Sequence, residues 1–182
     1  MFPILETSRC RLRPFVEADL LSFTHYRQQP DVARFQSWSD YSLEEAEALL
    51  HACQTEPFGA PGSWYQIALA ERLTDRLLGD LALHFIDEQA VEVGFTLSPV
   101  AQGYGYLSEG LQALLAYVFE QRGVLKVLAT SDALNLRSVR VLERAGFDRV
   151  GEGPRPVIFK DAPGEELDFC LTRVRWQRVC KT

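Results

Sequence analysis

The chain has 182 residues, 47% of them hydrophobic and 24% charged, and carries a net charge of −6. That length suits one domain, residues 1–182, able to bury roughly 70% of the unfolded chain's surface. The negative balance makes nucleic acid and anionic membrane poor partners and leaves room for a cationic substrate.

The chain opens with Met1-Phe2-Pro3-Ile4 and shows no secretory signal or apolar run near the ~20 residues of a membrane span, so a cytoplasmic location is expected. Arg9–Arg13 reads as a first strand halted by Pro14, and Glu17 to Gln28 as a helix ended by Pro30. Ser42-Leu43-Glu44-Glu45 has capping-box spacing and starts a helix running to about Glu56. Pro57, Gly59, Pro61 and Gly62 mark a loop.

Trp64–Glu71, Leu77–Ile86 and Ala90–Leu97 are strands whose connectors are too short for crossover helices, so they form an antiparallel meander. A helix then runs from the Gly103/Gly105 turn through Arg122, with Leu107, Leu111, Leu114, Leu115, Val118 and Phe119 at helical spacing. Lys126–Thr130 is a strand parallel to Ala90–Leu97, because a helix separates the two. Leu136–Ala145 is a helix closed by Gly146, and Phe147–Glu152 and Glu166–Val174 complete the strands. The result is an α/β fold on a mixed sheet with about four helices. Pro57–Ser63 and Gly153–Glu165 remain as variable loops.

Cys10, Cys53, Cys170 and Cys180 show no metal-ligand spacing, so reduced thiols and no metal are expected. Arg173, Arg175, Arg178 and Lys181 read as a solvated basic surface.

Gln102-Gly103-Tyr104-Gly105-Tyr106 is the informative turn. Two glycines at a strand-to-helix junction let main-chain N–H groups converge beside the unpaired donors and positive dipole end of the helix. Such a turn holds an anion, most often phosphate. A Walker loop would need Gly-Lys-Ser/Thr, and no Lys is present; the preceding meander argues against a dinucleotide fold.

This turn, continued by Leu107-Ser108-Glu109, is joined by Asp132-Ala133-Leu134-Asn135-Leu136-Arg137-Ser138 through Glu143-Arg144-Ala145-Gly146-Phe147, and by Leu5–Phe15 at the start. In this order they resemble the GNAT acetyltransferases, in particular the branch containing the ribosomal-protein N-terminal acetyltransferases. The resemblance implies the GNAT acyl-CoA N-acyltransferase fold, with two central parallel strands splayed around acetyl-CoA as cosubstrate. It implies that main-chain groups of Phe95, Thr96 and Leu97 pair with the pantetheine arm. The N–H groups of Gln102, Gly103, Tyr104, Gly105, Tyr106, Leu107 and Ser108 would cradle the pyrophosphate, and Asn135 would contact the cofactor. Leu107 departs from the family's usual Ala or Gly, though its side chain can point into the core.

The implied reaction is attack of an amine on the thioester. Freeing the amine at pH 7 costs about 1 kcal/mol for an α-amine and about 4.6 kcal/mol for a lysine-like amine. Ser138, one helical turn after Asn135, is the candidate donor to the leaving thiolate, since Leu142 stands where many GNAT enzymes carry a tyrosine. The other reading of Ser138 is a hydroxyl bonded back to the main chain. Glu92 is the candidate base, acting through water; a solvent-facing strand residue is the alternative. Glu109 reads as structural, favouring the helix dipole. His84 could face the cleft, but a packed core histidine is preferred. Trp38, Tyr41, Trp64 and Tyr65 would wall the acceptor pocket or fill the core, and Asp40, Glu44 and Glu45 would attract a cation or be solvated. The acceptor is a protein N-terminus or a small amine. A homodimer is compatible with all this, and the competing function is a non-catalytic acyl-CoA-binding module.

Overall fold

Strict alternation along the central strands decides which side chains each face of the sheet buries. The computed structural model describes residues 2–179. Its strands are β1 (Leu5–Glu6), β2 (Cys10–Pro14), β3 (Trp64–Glu71), β4 (Leu77–Phe85), β5 (Ala90–Leu97), β6 (Lys126–Asp132), β7 (Asp148–Phe159) and β8 (Ala162–Thr172). They form one eight-stranded sheet in the order β1-β2-β3-β4-β5-β6-β8-β7. Every neighbouring pair is antiparallel except β5–β6.

The helices are α1 (Leu20–Arg27), α2 (Pro30–Ala33), α3 (Leu43–Thr55), α4 (Tyr106–Ala116), α5 (Leu136–Arg144) and α6 (Arg173–Val179). On one face, Tyr65, Ile67, Leu81, Leu83, Val91 and Val93 pack under α4 and α5, against Leu111, Leu114 and Leu142. On the other, Ala68 and Leu77 pack under α1 and α3, against Phe23, Tyr26, Ala46 and Leu50. Gly110 lets α4 approach closely, because a Cβ there would lie 2.7 Å from the Leu69 Cδ1.

Several expectations hold. Ser42 and Glu45 cap α3 reciprocally, and Gly146 follows α5 at φ +94°. The long helix continues past α4 as a π-helical turn, Tyr117–Gln121.

Others are corrected. Pro30 opens α2 at its first position, where its missing N–H costs nothing, rather than only ending α1. With α6 at the end, the α-helices among the described residues number six. The last strand stops at Thr172, and Arg173–Val179 turns into α6. The segment 153–165 is mostly ladder rather than loop: β7 and β8 form a long hairpin with an irregularity between Val150 and Arg155. The Lys160 ammonium at its tip donates to the Ala33 carbonyl on α2 at 2.8 Å. The basic C-terminal residues are not merely solvated. Arg173 donates to the Phe119 carbonyl, and Arg175 binds the Gly146 carbonyl at 2.6 Å and Asp148 at 2.9 Å. Cys10, Cys53 and Cys170 are free thiols; Cys180 and Lys181 lie outside the described residues.

Candidate active site

The parallel pair β5–β6 is bridged over Ala90–Glu92 and Lys126–Leu128, just after the Gln89 carbonyl accepts from the N–H groups of Leu125 and Lys126. Beyond that, β5 runs on to Leu97 paired with β4 alone, and β6 to Asp132 paired with β8 alone. The splay expected of this pair is thus present, and it opens toward the start of α4.

Main-chain direction along β5 follows from its end. The Ser98 N–H donates to the Leu78 carbonyl at 2.9 Å, so even-numbered residues of this unbroken ladder turn their polar groups to β4. Phe95 and Leu97 therefore present theirs to the open side. Thr96, expected to join them, is corrected: its main chain belongs to the β4 ladder, and its side chain is buried. The Leu97 carbonyl accepts from the Gln102 amide at 3.2 Å, which leaves its N–H available.

Where β5 gives way to α4, Gly103 and Gly105 take φ of +84° and +81°, a region open to glycine and strained for a side chain. The N–H groups of residues 103–108 have no hydrogen-bond partner among the described residues, whereas Gln102, expected to join them, is corrected: its N–H donates to the Pro99 carbonyl at 3.3 Å. A Cβ at Gly103 would meet nothing within 4 Å. The predicted cradle thus consists of consecutive unpaired donors facing open space at a helix N-terminus. Leu107 is buried in the core and leaves the turn unobstructed.

Arg9, read from sequence only as part of a strand, also stands at this turn. Its guanidinium donates to the Tyr104 carbonyl at 2.9 Å and lies 5.0 Å over the Tyr106 ring. Glu109 holds it through Nε and Nη2, both at 2.7 Å, and also accepts from the Thr7 and Ser8 hydroxyls and the Arg9 N–H. Burial pushes the Glu109 carboxyl up, but these donors outweigh it and bring it down to about 2. The structural reading of Glu109 holds, with a firmer cause than the helix dipole. About a hundred residues separate the partners, so no local spacing signals the contact.

Across the splay, Asn135 caps α5: its Oδ1 accepts from the Ser138 N–H at 3.2 Å. The Ser138 hydroxyl itself has no hydrogen bond among the described residues, so the back-bonded alternative is not what the structure contains. Arg137 donates to the Gln102 side-chain oxygen at 2.6 Å, linking the starts of α4 and α5. Leu142 is 1% exposed and belongs to the core.

On the α1/α3 face, Trp64, His84 and Glu92 lie in one file across β3, β4 and β5. Glu92 Oε2 is 3.6 Å from His84 Nδ1. The Trp64 and His84 rings stack at 4.7 Å and 9°, and Trp64 is 52% exposed. His84 is therefore not simply a packed core histidine. The signal was available, because the three-residue connector Asp87–Gln89 sets the register that places His84 opposite Glu92. Gly94 continues this face, its Cβ position 3.9 Å from Trp64.

Further along β4, buried Asp80 accepts from Tyr26, Gln66 and Arg27. Phe23, Trp38 and Tyr41 surround the Arg27 guanidinium at 4.1, 4.1 and 4.9 Å. Trp38 and Tyr41 thus serve this network, and Tyr65 packs on the opposite face with Phe2 and Phe58. Glu45 is spent on its cap; Asp40 and Glu44 are exposed. A groove of about 420 Å³ between α5 and β7 contains none of the candidate residues. Directed donors and ionisable groups, not the volume of that groove, locate the site.

Residues 9–148 match the family described as the acetyltransferase (GNAT) domain. YnaD of Bacillus subtilis (strain 168), described as an uncharacterized N-acetyltransferase, is 26% identical over 94% of this chain and 98% of its own length. A solved GNAT-family acetyltransferase from Bacillus anthracis superposes with a TM-score of 0.82 at 22% identity, covering 94% of this chain and 99% of that one. The spermidine N-acetyltransferase of Vibrio cholerae, solved with CoA and spermine, gives a TM-score of 0.80 at 16% identity, over 94% and 99% of the two chains.

Proposed function

The chain belongs to the GNAT acetyltransferase family and is an acetyl-CoA-dependent acyltransferase; from that premise we propose that it moves the acetyl group onto a primary amine by direct attack in a ternary complex. The observation that carries this reading is the run of unpaired N–H groups at residues 103–108, set at the mouth of the β5–β6 splay. These donors fit a diphosphate, and the Arg9 guanidinium, paired with Glu109, stands at the same turn. The free main-chain edge of Phe95 and Leu97 fits an amide-bearing arm laid along it, and Asn135 stands at the opposite helix start.

Acetyl-CoA brings a thioester carbonyl to the splay. Glu92, beside Gly94 on the α1/α3 face, receives the proton that the acceptor ammonium must lose, directly or through water. Ser138, whose hydroxyl is uncommitted, donates toward the departing sulfur on the α5 side. Positioning supplies the larger share of the rate, since alignment alone contributes about 7–11 kcal/mol in favourable cases.

Acidic groups near this face support a cationic acceptor. Glu92 is half-buried, and Glu166 and Asp168 on β8 share the single cation Arg155 at 2.8 and 3.2 Å. A protein N-terminus, as in the ribosomal-protein branch, and a polyamine, as bound by the Vibrio neighbour, both meet this requirement. The test is thiol release from acetyl-CoA against a panel of N-terminal peptides, polyamines and aminoglycoside-like amines. Turnover with one class identifies the acceptor; CoA binding without turnover on any amine contradicts the proposal.

A further inference from the structure

Resting on the reading of Glu92 as proton acceptor, we propose that His84 is its positioning residue: a clamped imidazole that holds the Glu92 carboxylate in place.

Three observations converge on His84. Its Nδ1 is shielded from solvent and has no hydrogen-bond partner among the described residues, while Glu92 Oε2 stands 3.6 Å away. That separation is in ion-pair range and longer than a hydrogen bond, so the coupling is electrostatic. The ring cannot readily turn away, because Trp64 stacks on it nearly parallel at 4.7 Å. His84 and Glu92 also occupy directly opposed positions in an unbroken antiparallel ladder, which fixes their spacing through the backbone.

Few other charges stand near this pair: on β6, Leu128 is bridged to Glu92 and Lys126 to Ala90, two residues before it. From β3 the neighbours on this face are Trp64 and Gln66, neither of which titrates. On β4, Asp80 is occupied by Tyr26, Gln66 and Arg27 from β3 and α1. In the β4–β5 connection, Asp87 accepts the N–H groups of Gln89 and Ala90. Glu92 is thus the charged group facing His84. An imidazole with its proton on Nδ1 steadies the carboxylate electrostatically.

The test compares His84→Ala and His84→Asn with wild type, using one acceptor throughout so that the amine's own titration cancels. The alanine variant is expected to lose about 10-fold in kcat at pH 8 with the KM for acetyl-CoA unchanged, a fraction of the 10²–10⁴ attributed to a general base. The asparagine variant keeps an N–H donor near Glu92 and is expected to recover most of that loss. If alanine removes the stacking partner of Trp64 and unfolds the chain, a folded asparagine variant still about 10-fold down in kcat overturns the inference. Wild-type kcat in the alanine variant overturns it too, while Glu92→Gln remains inactive. A fully active Glu92→Gln overturns the Glu92 reading, and this one with it.

Discussion

Arg27 and Asp80 meet at 3.1 Å, at only 6% and 1% side-chain exposure. Asp80 also receives Tyr26 and Gln66, so its carboxylate ties α1 to β3 and β4 beside the splay.

Removing one partner strands the other charge. Asp80→Asn is expected to cost about 3–5 kcal/mol, the range for breaking a buried ion pair. Urea denaturation measures it; a loss below about 1 kcal/mol would show that water reaches Arg27.

Gly105→Val should weaken CoA binding far more than it harms folding. The residue sits at φ +81° at the start of α4, where a β-branched side chain is strained by about 1–2 kcal/mol. Titration calorimetry with CoA is the check, alongside the melting temperature. Retained affinity in a folded variant means the phosphate cradle lies elsewhere.

Ser138→Ala should lower kcat by about 10–100-fold while acetyl-CoA affinity stays within twofold, because the Asn135 cap uses the Ser138 main chain and survives the change. Equal turnover in the variant removes Ser138 from the chemistry.

Glu109 has its folded carboxyl lowered from 4.5 to about 2. With the folded value below the unfolded one, its contribution is complete above about pH 4.5 and fades as pH falls toward 2. Glu109→Gln should therefore lower the melting temperature at pH 7, and the gap from wild type should close on acidification through that window. A gap independent of pH means the loss comes from packing instead of charge.

Much of this arrangement was legible from residue order. Short connectors dictated the meander and, through Asp87–Gln89, its register; the intervening helix dictated the parallel pair. The glycine turn announced its donors because positive φ and a helix start are local properties. What escaped was either too short or contrary to local propensity. Pro30–Ala33 is one turn long. Gly151-Glu152-Gly153-Pro154-Arg155-Pro156 has loop composition, yet β7 is an edge strand with one ladder to serve, where proline and irregular pairing are tolerated. Arg9 at the glycine turn depends on β2 lying beside α4. The alternation that exempts Thr96 from the open edge needed the ladder's parity, which Ser98 supplies.

Three bridged positions on each strand, with the Gln89 carbonyl accepting from Leu125 and Lys126 just before them, hinge the two leaves of the sheet along their common spine. A molecule strung between the open margins would act as a stitch as well as a cargo. Its affinity then sets how far the protein's resistance to heat rises with the concentration of the molecule that closes the book.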